Sequence, residues 1–318
     1  MEAVGVQSTV ADAYALIQRD IEEALPDLPH VAMNTFRPNK SFGYALKAKV
    51  HLFKREFNEA LQASLDCIKE AEREGRHKLW NMNTEYQAAV NYIKQTFGWS
   101  EDLIEYGMPM YSMFRMSVSA MYFTHPYEDP ENLLSQNGQT QFDPSPSMVR
   151  KPVMDLYTPK SDLRYTFNLG ATPTRPTAEP GSIMLSLGGS YQWNPAGIKL
   201  SEVYLMAAEC YARKSDKENA MKYVNDVRKN RIITKYYTDF TATDAADAMR
   251  IVREERKREL LFTSNSFFDM RRFCTEFNET LTREVDGKTY TLKPDSHLLT
   301  FPFPVSAMQN SNLIQNSK

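Results

Sequence analysis

The stretch LSEVYLMAAECYARKSDKENAMKYVNDVRKNR, residues 200–231, decides the fold. It reads as two helices back to back, with small and aromatic groups at Tyr204, Ala208 and Ala220. Sliding it by 160 positions brings it onto residues 39–72, where Tyr204 falls on Tyr44, Ala208 on Ala48 and Ala220 on Ala60. There the apolar positions Tyr44, Ala45, Ala48 and Leu52, then Phe57, Ala60, Leu61 and Leu65, step by three and four residues with a break near Arg55. Such spacing puts apolar groups on one face of a helix. Each stretch therefore predicts an antiparallel helical hairpin, about 39–72 and about 200–231.

The two hairpins resemble tetratricopeptide helix pairs. In that repeat of about 34 residues, small residues sit where helices approach closely and an aromatic wedges between neighbours. Their wide separation means that they are not tandem copies. A further helix is expected from Ala245 to Leu261, with Met249, Val252, Leu260 and Leu261 apolar and a dense face of alternating charges, Arg253 to Glu259. Another runs over residues 9–25 on Tyr14, Ile17, Ile21, Ala24 and Leu25, and Pro26 and Pro29 end it. The fold class is all-α. Between the hairpins, residues 76–200 hold all three Trp and the Gly188-Gly189 pair with little sustained period, and read as long ordered loops.

Composition narrows the function classes. Hydrophobic residues at 42% and charged residues at 25% are ordinary for a globular chain and argue against extensive disorder. Lys plus Arg (38) nearly match Asp plus Glu (40), so there is no excess of positive charge for a nucleic-acid backbone. Cys67, Cys210 and Cys274 are scattered and make neither a disulfide framework nor a zinc ribbon. No run of about 18 apolar residues is present to span a bilayer.

Aromatic residues, at 12%, are abundant enough that some rings should face solvent. Sugar rings present apolar C–H faces that stack on aromatic planes, while amides and carboxylates bond the hydroxyls. Aromatic stretches flanked by such groups are Trp80-Asn81, Phe97-Gly98-Trp99 with Asp102, Tyr106 to Tyr111, Tyr122 to Tyr127, and Tyr191-Gln192-Trp193-Asn194. The candidate ligand contacts are Trp80, Trp99, Tyr106, Tyr111, Tyr191, Trp193 and Asn194. Any single ring among them is also readable as a packing anchor.

Glu254, Glu255 and Glu259 are the candidates for a glycosidase carboxylate pair. Their Arg/Lys-rich helix makes ion pairing the simpler explanation. His30, His51, His77, His125 and His297 are isolated, with no paired metal-ligand spacing. No Walker motif, GxSxG elbow or GxGxxG is present. The reading holds no catalytic residue, metal or cofactor.

In order along the chain, several further phrases resemble the SusD/RagB family. They begin with Asn39-Lys40 and Tyr44 to Val50, then Phe57-Asn58-Glu59-Ala60-Leu61. Phe142-Asp143-Pro144-Ser145 leads through Asp155-Leu156-Tyr157 to Asp162-Leu163-Arg164-Tyr165, similar to the family's Asp-x-Arg-Tyr stretch. The 200–231 hairpin follows, then Glu255-Arg256-Lys257-Arg258-Glu259-Leu260 and Phe267-Phe268-Asp269-Met270-Arg271-Arg272. Phe301-Pro302-Phe303-Pro304 with Asn312-Leu313-Ile314-Gln315-Asn316 is similar to the family's close. Ser264-Asn265-Ser266 departs from its usual Glu-Gly-x-Arg.

The resemblance implies one SusD-like domain over 1–318 with a loop-rich ligand side at about 76–200. It also implies that the Arg and Glu residues of these family-typical motifs tie helices together while the ligand contacts lie in loops. It implies a non-catalytic lipoprotein on the outer face of the outer membrane of Bacteroidota. That protein captures an oligosaccharide or peptide for a SusC-like TonB-dependent barrel. Members begin with a lipoprotein signal, a lipidated Cys and a helical segment before the position of Tyr14. None of these is in this sequence, which is thus expected to match the C-terminal, larger part of the family fold. Two rivals remain: a tetratricopeptide-type scaffold for a protein partner, and a glycan-degrading enzyme.

Overall fold

The computed structural model describes residues 8–98, 100, 129–134, 148–149, 151–158, 161–168, 183–184, 197–261, 263–285, 287–309 and 311–315. Helix dominates it: α1 (Val10–Ala24), α2 (Lys40–Lys54), α3 (Phe57–Glu74) and α4 (Met82–Phe97) come first. The short α5 (Lys151–Met154) and α6 (Leu163–Asn168) follow, then α7 (Leu200–Arg213), α8 (Lys217–Arg228), α9 (Ala245–Glu259), α10 (Ser264–Glu276) and α11 (Val305–Gln309). The short strands are β1 (Asn132–Leu134), β2 (Met148–Val149), β3 (Ile183–Met184), β4 (Ile198–Lys199), β5 (Leu281–Val285) and β6 (Lys288–Leu292), paired as β1–β4, β2–β3 and β5–β6, all antiparallel.

The chain forms two compact units, Ile21–Ser264 and a second of Met1–Asp20 with Asn265–Lys318. In the larger unit both expected hairpins form, α2–α3 and α7–α8. The Asn39 side chain accepts from the Phe42 amide at 2.9 Å and starts α2; Asp216 does the same for α8 through Asn219, at 3.0 Å. Ala45, Ala48, Ala60, Ala63, Cys67 and Ala71 from the first hairpin pack against Val203, Met206, Ala207 and Cys210 of α7. Small side chains are what let these backbones approach. Tyr204, Tyr211 and Tyr223 line the edge of that core, with Tyr211 stacked on Tyr223 at 5.6 Å.

Helix α7 is buried on nearly every side, with 11 of its 14 residues shielded. It packs against α2, α3, α8 and α9 at once, which the one-sided pattern expected of a hairpin helix does not convey. Helix α9 opens with Asp244 bonding the Asp247 amide at 2.8 Å, while Asp247 reaches back to the Thr243 amide at 3.0 Å, a reciprocal cap. Arg256, Lys257 and Arg258 complement the negative end of its dipole.

Residues 76–200 are not all loop. Sixteen of them form α4, capped by Asn81 at the start and by Gly98 (φ 67°) at the end, with Met82, Tyr86 and Val90 buried. That four-residue recurrence is a helical signal hidden beneath a polar sequence. In the smaller unit β5 and β6 form a hairpin with Gly287 at φ 72°, another element beyond the sequence reading. Among the described residues no helix is long and apolar enough to cross a membrane.

Candidate functional site

Of the seven candidate ligand contacts, the structure places Trp80; Trp99, Tyr106, Tyr111, Tyr191, Trp193 and Asn194 lie outside the described residues, as does His125. Trp80 is half-buried in the extended segment between α3 and α4. Its amide donates to Glu131 Oε1 at 2.8 Å, and its carbonyl accepts from Arg231 Nη1 at 2.7 Å. The backbone of Trp80 is therefore gripped at both its N–H and its C=O, in the two peptide groups that flank it, by buried side chains of an ion network.

Arg231 and Glu131 belong to a buried ion network. Arg231 Nη2 donates to Glu131 Oε1 at 2.6 Å and to Glu259 Oε1 at 2.7 Å. Glu259 also accepts from Arg164 at 2.9 Å, and Arg164 bonds Glu255 at 2.7 Å and Asp162 at 2.8 Å. Arg258 closes onto Glu255 at 2.9 Å, and Lys199 onto Asp129 at 3.0 Å. Local structure sets this up. The Leu163 amide bonds the Arg231 carbonyl at 2.8 Å, which seats Asp162 and Arg164 beside the end of α8, and β1–β4 pairing places Lys199 opposite Asn132.

Burial alone would raise the carboxyls of Glu255 and Glu259. Arg164 and Arg258 outweigh it at Glu255, and Arg231 and Arg164 at Glu259, so both are held below the usual carboxylate range. At Glu131 burial pushes up, with Arg231 and Lys199 pulling against it. At Lys199 burial pulls down, but Asp129 and Glu131 hold the amine above its usual value.

The acidic candidates are all engaged in ion pairs. Glu255 and Glu259 are fully shielded and saturated by arginine, and Glu254 pairs with Arg250 at 2.8 Å. Among the described residues no cluster of three or more His, Cys, Asp or Glu side chains has the arrangement of a metal site. His51 bonds Glu56 at 2.6 Å and His30 bonds Glu70. Cys67, Cys210 and Cys274 are buried thiols.

A groove of about 670 Å³ lies on α8 against residues 237–242, and the sequence reading had not found it. Asn225 organises it by bonding both the amide and the carbonyl of Phe240 at 2.9 Å. The Arg228 guanidinium stacks 3.2 Å from the Phe240 ring centre, a cation–π contact. Tyr237 donates its hydroxyl to Asp239 at 2.6 Å, and burial raises that phenol, with Asp239 adding to it. Lys222 and Lys229 flank Asp226 on the rim. Asn225 and Arg228 stood in the hairpin phrase, but nothing near residues 237–242 signals a groove.

Comparison with known proteins points one way. Residues 186–315 match the model of the SusD family. A SusD superfamily protein from Bacteroides thetaiotaomicron VPI-5482 superposes with a TM-score of 0.67 at 20% identity, over 98% of this chain and 67% of that one. A putative sugar binding protein from Bacteroides vulgatus ATCC 8482 gives 0.66 at 20%, over 99% and 67%. A SusD-like carbohydrate binding protein from the same strain gives 0.54 at 18%, over 90% and 58%. The chain spans about two thirds of the length of the first two of these structures. Among curated proteins none matches.

Proposed function

We propose, from the premise that this chain belongs to the SusD/RagB family, that it is a non-catalytic protein that captures an oligosaccharide or peptide at the bacterial outer surface. The observation that carries the proposal is the family match over residues 186–315. The family places such a protein over a SusC-like TonB-dependent barrel, held to the outer membrane by a lipid anchor. Sugar is the favoured ligand, because two of the similar structures are named for sugar or carbohydrate binding. Recognition would rest on stacking and hydrogen bonding, with no bond broken. Supporting it, the Trp80 backbone N–H and C=O are fixed by Glu131 and Arg231, which sets the point from which its side chain projects before a ligand arrives. Trp99, Tyr106, Tyr111, Tyr191, Trp193 and Asn194 are proposed as the other contacts.

The test is calorimetric titration against soluble polysaccharides, oligosaccharides and peptides, with chromatography of the products. Saturable binding without product is expected, weakened at least tenfold by Trp80→Ala or Trp193→Ala. Trp80→Ala removes the ring but keeps the peptide N–H and C=O that Glu131 and Arg231 hold, so a loss reports on the ring. Cleavage of the ligand would sink the proposal.

A second reading, a scaffold for a protein partner, draws on the groove beside α8, because it lies on a tetratricopeptide-like hairpin. In that case Lys222→Glu with Lys229→Glu abolishes binding of a peptide from the panel, and Trp80→Ala leaves it intact.

A further inference from the structure

Beneath the Trp80 segment lies a second cluster of buried polar groups, separate from the arginine network. Asn39 Nδ2 donates to Glu74 Oε2 at 3.0 Å and lies 3.2 Å from His77 Nε2. His77 Nδ1 lies 3.2 Å from the Pro130 carbonyl, which fixes its proton there and leaves Nε2 as an acceptor. Glu74 Oε1 stands 3.4 Å from His77 Nε2, is wholly buried and accepts no hydrogen bond. The Ser41 hydroxyl, likewise buried and without a hydrogen-bond partner among the described residues, is close enough to act on the Glu74 carboxyl through its dipole. A carboxylate in this position would face the negative end of the dipole of α3, of which Glu74 is the last residue.

The segment above is stitched to the same place. The Lys78 amide donates to the Pro130 carbonyl at 3.2 Å, and the Trp80 amide to Glu131 at 2.8 Å. His77, Lys78 and Trp80 thus run alongside Pro130 and Glu131, and His77 is the stitch that touches Glu74.

We propose that Asn39, Ser41, Glu74 and His77 form a proton-held clasp: with Glu74 protonated the Trp80 segment is firmly seated on Pro130 and Glu131, and with Glu74 ionised it is loosened. In the closed form the protonated carboxyl and neutral imidazole meet without a buried charge. Burial pushes Glu74 up to about 7, with Glu70 adding to it and the Ser41 hydroxyl and Arg76 pulling against it. Burial pushes the His77 imidazole below its usual value, and Arg76 adds to this, against the Pro130 carbonyl and Asp129. Other charged groups nearby are already engaged: Glu70 by His30 and Arg73, Arg76 by the Ala32 carbonyl, and Asp129 by Lys199. The consequence for ligand capture, a Trp80 ring held better on the acid side of neutrality, rests on the function proposed above. The clasp itself does not.

The test needs no ligand. In the Trp99→Phe, Trp193→Phe background, Trp80 emission should titrate with a midpoint near 7, and Glu74→Gln should abolish that titration. Hydrogen-exchange protection at Lys78 and Trp80 gives a second measurement. Opening exposes Glu74 to water, where its carboxyl returns to the ordinary range near 4.5. Protection should therefore fall by up to about tenfold per pH unit between roughly 4.5 and 7 and level off above, a fall that Glu74→Gln removes. Subtracting the Glu74→Gln profile cancels pH effects that do not arise at Glu74. Should Glu74→Gln fail to fold, Ser41→Ala should move the emission midpoint to higher pH, because the hydroxyl that favours the carboxylate is gone. A flat wild-type profile, or one that Glu74→Gln or Ser41→Ala leaves in place, would overturn the clasp, whatever the ligand panel shows.

Discussion

Arg55 and Ser215 hold the same position in two copies of one turn, with left-handed φ angles of 66° and 61°. The copies agree bond for bond. The Arg55 amide donates to Leu52 O at 3.1 Å and the Glu56 amide to His51 O at 2.9 Å. In the second copy Ser215 donates to Ala212 O at 3.1 Å and Asp216 to Tyr211 O at 3.0 Å. Both are Schellman closures, a position where glycine is usual. The 160-residue offset that joined the hairpins in the sequence thus extends to their backbone turns.

That shared strain predicts a gain. A left-handed conformation costs an L-residue roughly 1–2 kcal/mol, and glycine loses about 0.5–1 kcal/mol of that advantage to chain entropy. Ser215→Gly and Arg55→Gly should each raise the unfolding free energy, read from urea denaturation, by up to about 1 kcal/mol. Ser215→Val should lower it. A drop with Ser215→Gly would show that the serine side chain contributes more than the strain costs.

Arg164 faces three carboxylates, Asp162, Glu255 and Glu259. Arg164→Met leaves their charge partly unmatched in a dry interior, so a loss of about 3–5 kcal/mol is expected. Arg164→Lys should recover little of it, because one ammonium cannot reproduce a planar fork bonded on several sides. Equilibrium denaturation of the three proteins is the check.

Glu255 and Glu259 set an acid limit. Both are held below the unfolded value in the native state, so their contribution is complete above about 4.5 and is lost as pH falls through their lowered folded values. The unfolding free energy should thus drop steeply below about pH 4.5. Glu259→Gln should start lower and show a shallower slope, readable from urea midpoints across pH 3–6.

Ala48 and Ala208 are matched by the same offset and are both completely buried. Leucine at either position forces packed helices apart, and overpacking of this kind typically costs about 1–3 kcal/mol. Thermal denaturation of Ala48→Leu and Ala208→Leu should show comparable losses. A neutral result at one position would mean that its helix pair has room to shift.

The hairpins and α9 were legible in the sequence because a helix with one dry face repeats its apolar residues locally. The acidic and basic residues of Asp162-Leu163-Arg164-Tyr165 and of Arg253 to Glu259 were legible as helix ties, but not their partners. Arg231 meeting Glu131 and the Trp80 carbonyl depends on segments remote in sequence, and spacing carries no information about that. Helix α4 was missed because Asn83, Thr84, Gln87 and Asn91 dilute the apolar face that carries the buried Met82, Tyr86 and Val90. Of the candidate site, the aromatic composition could nominate rings, but composition carries no information on where rings remote in sequence stand relative to one another.

Arg231 also bears on the order in which this chain assembles. Its guanidinium bonds groups 28, 100 and 151 residues away. Each of those loops must close before the corresponding bond can form, whereas α2–α3 and α7–α8 need only neighbours. The hairpins are then the early structure and Arg231 the latch that drops last. Removing it should leave the refolding rate nearly unchanged and make the native molecule unfold faster, so persistence under proteolytic attack, more than speed of maturation, is what this one side chain confers.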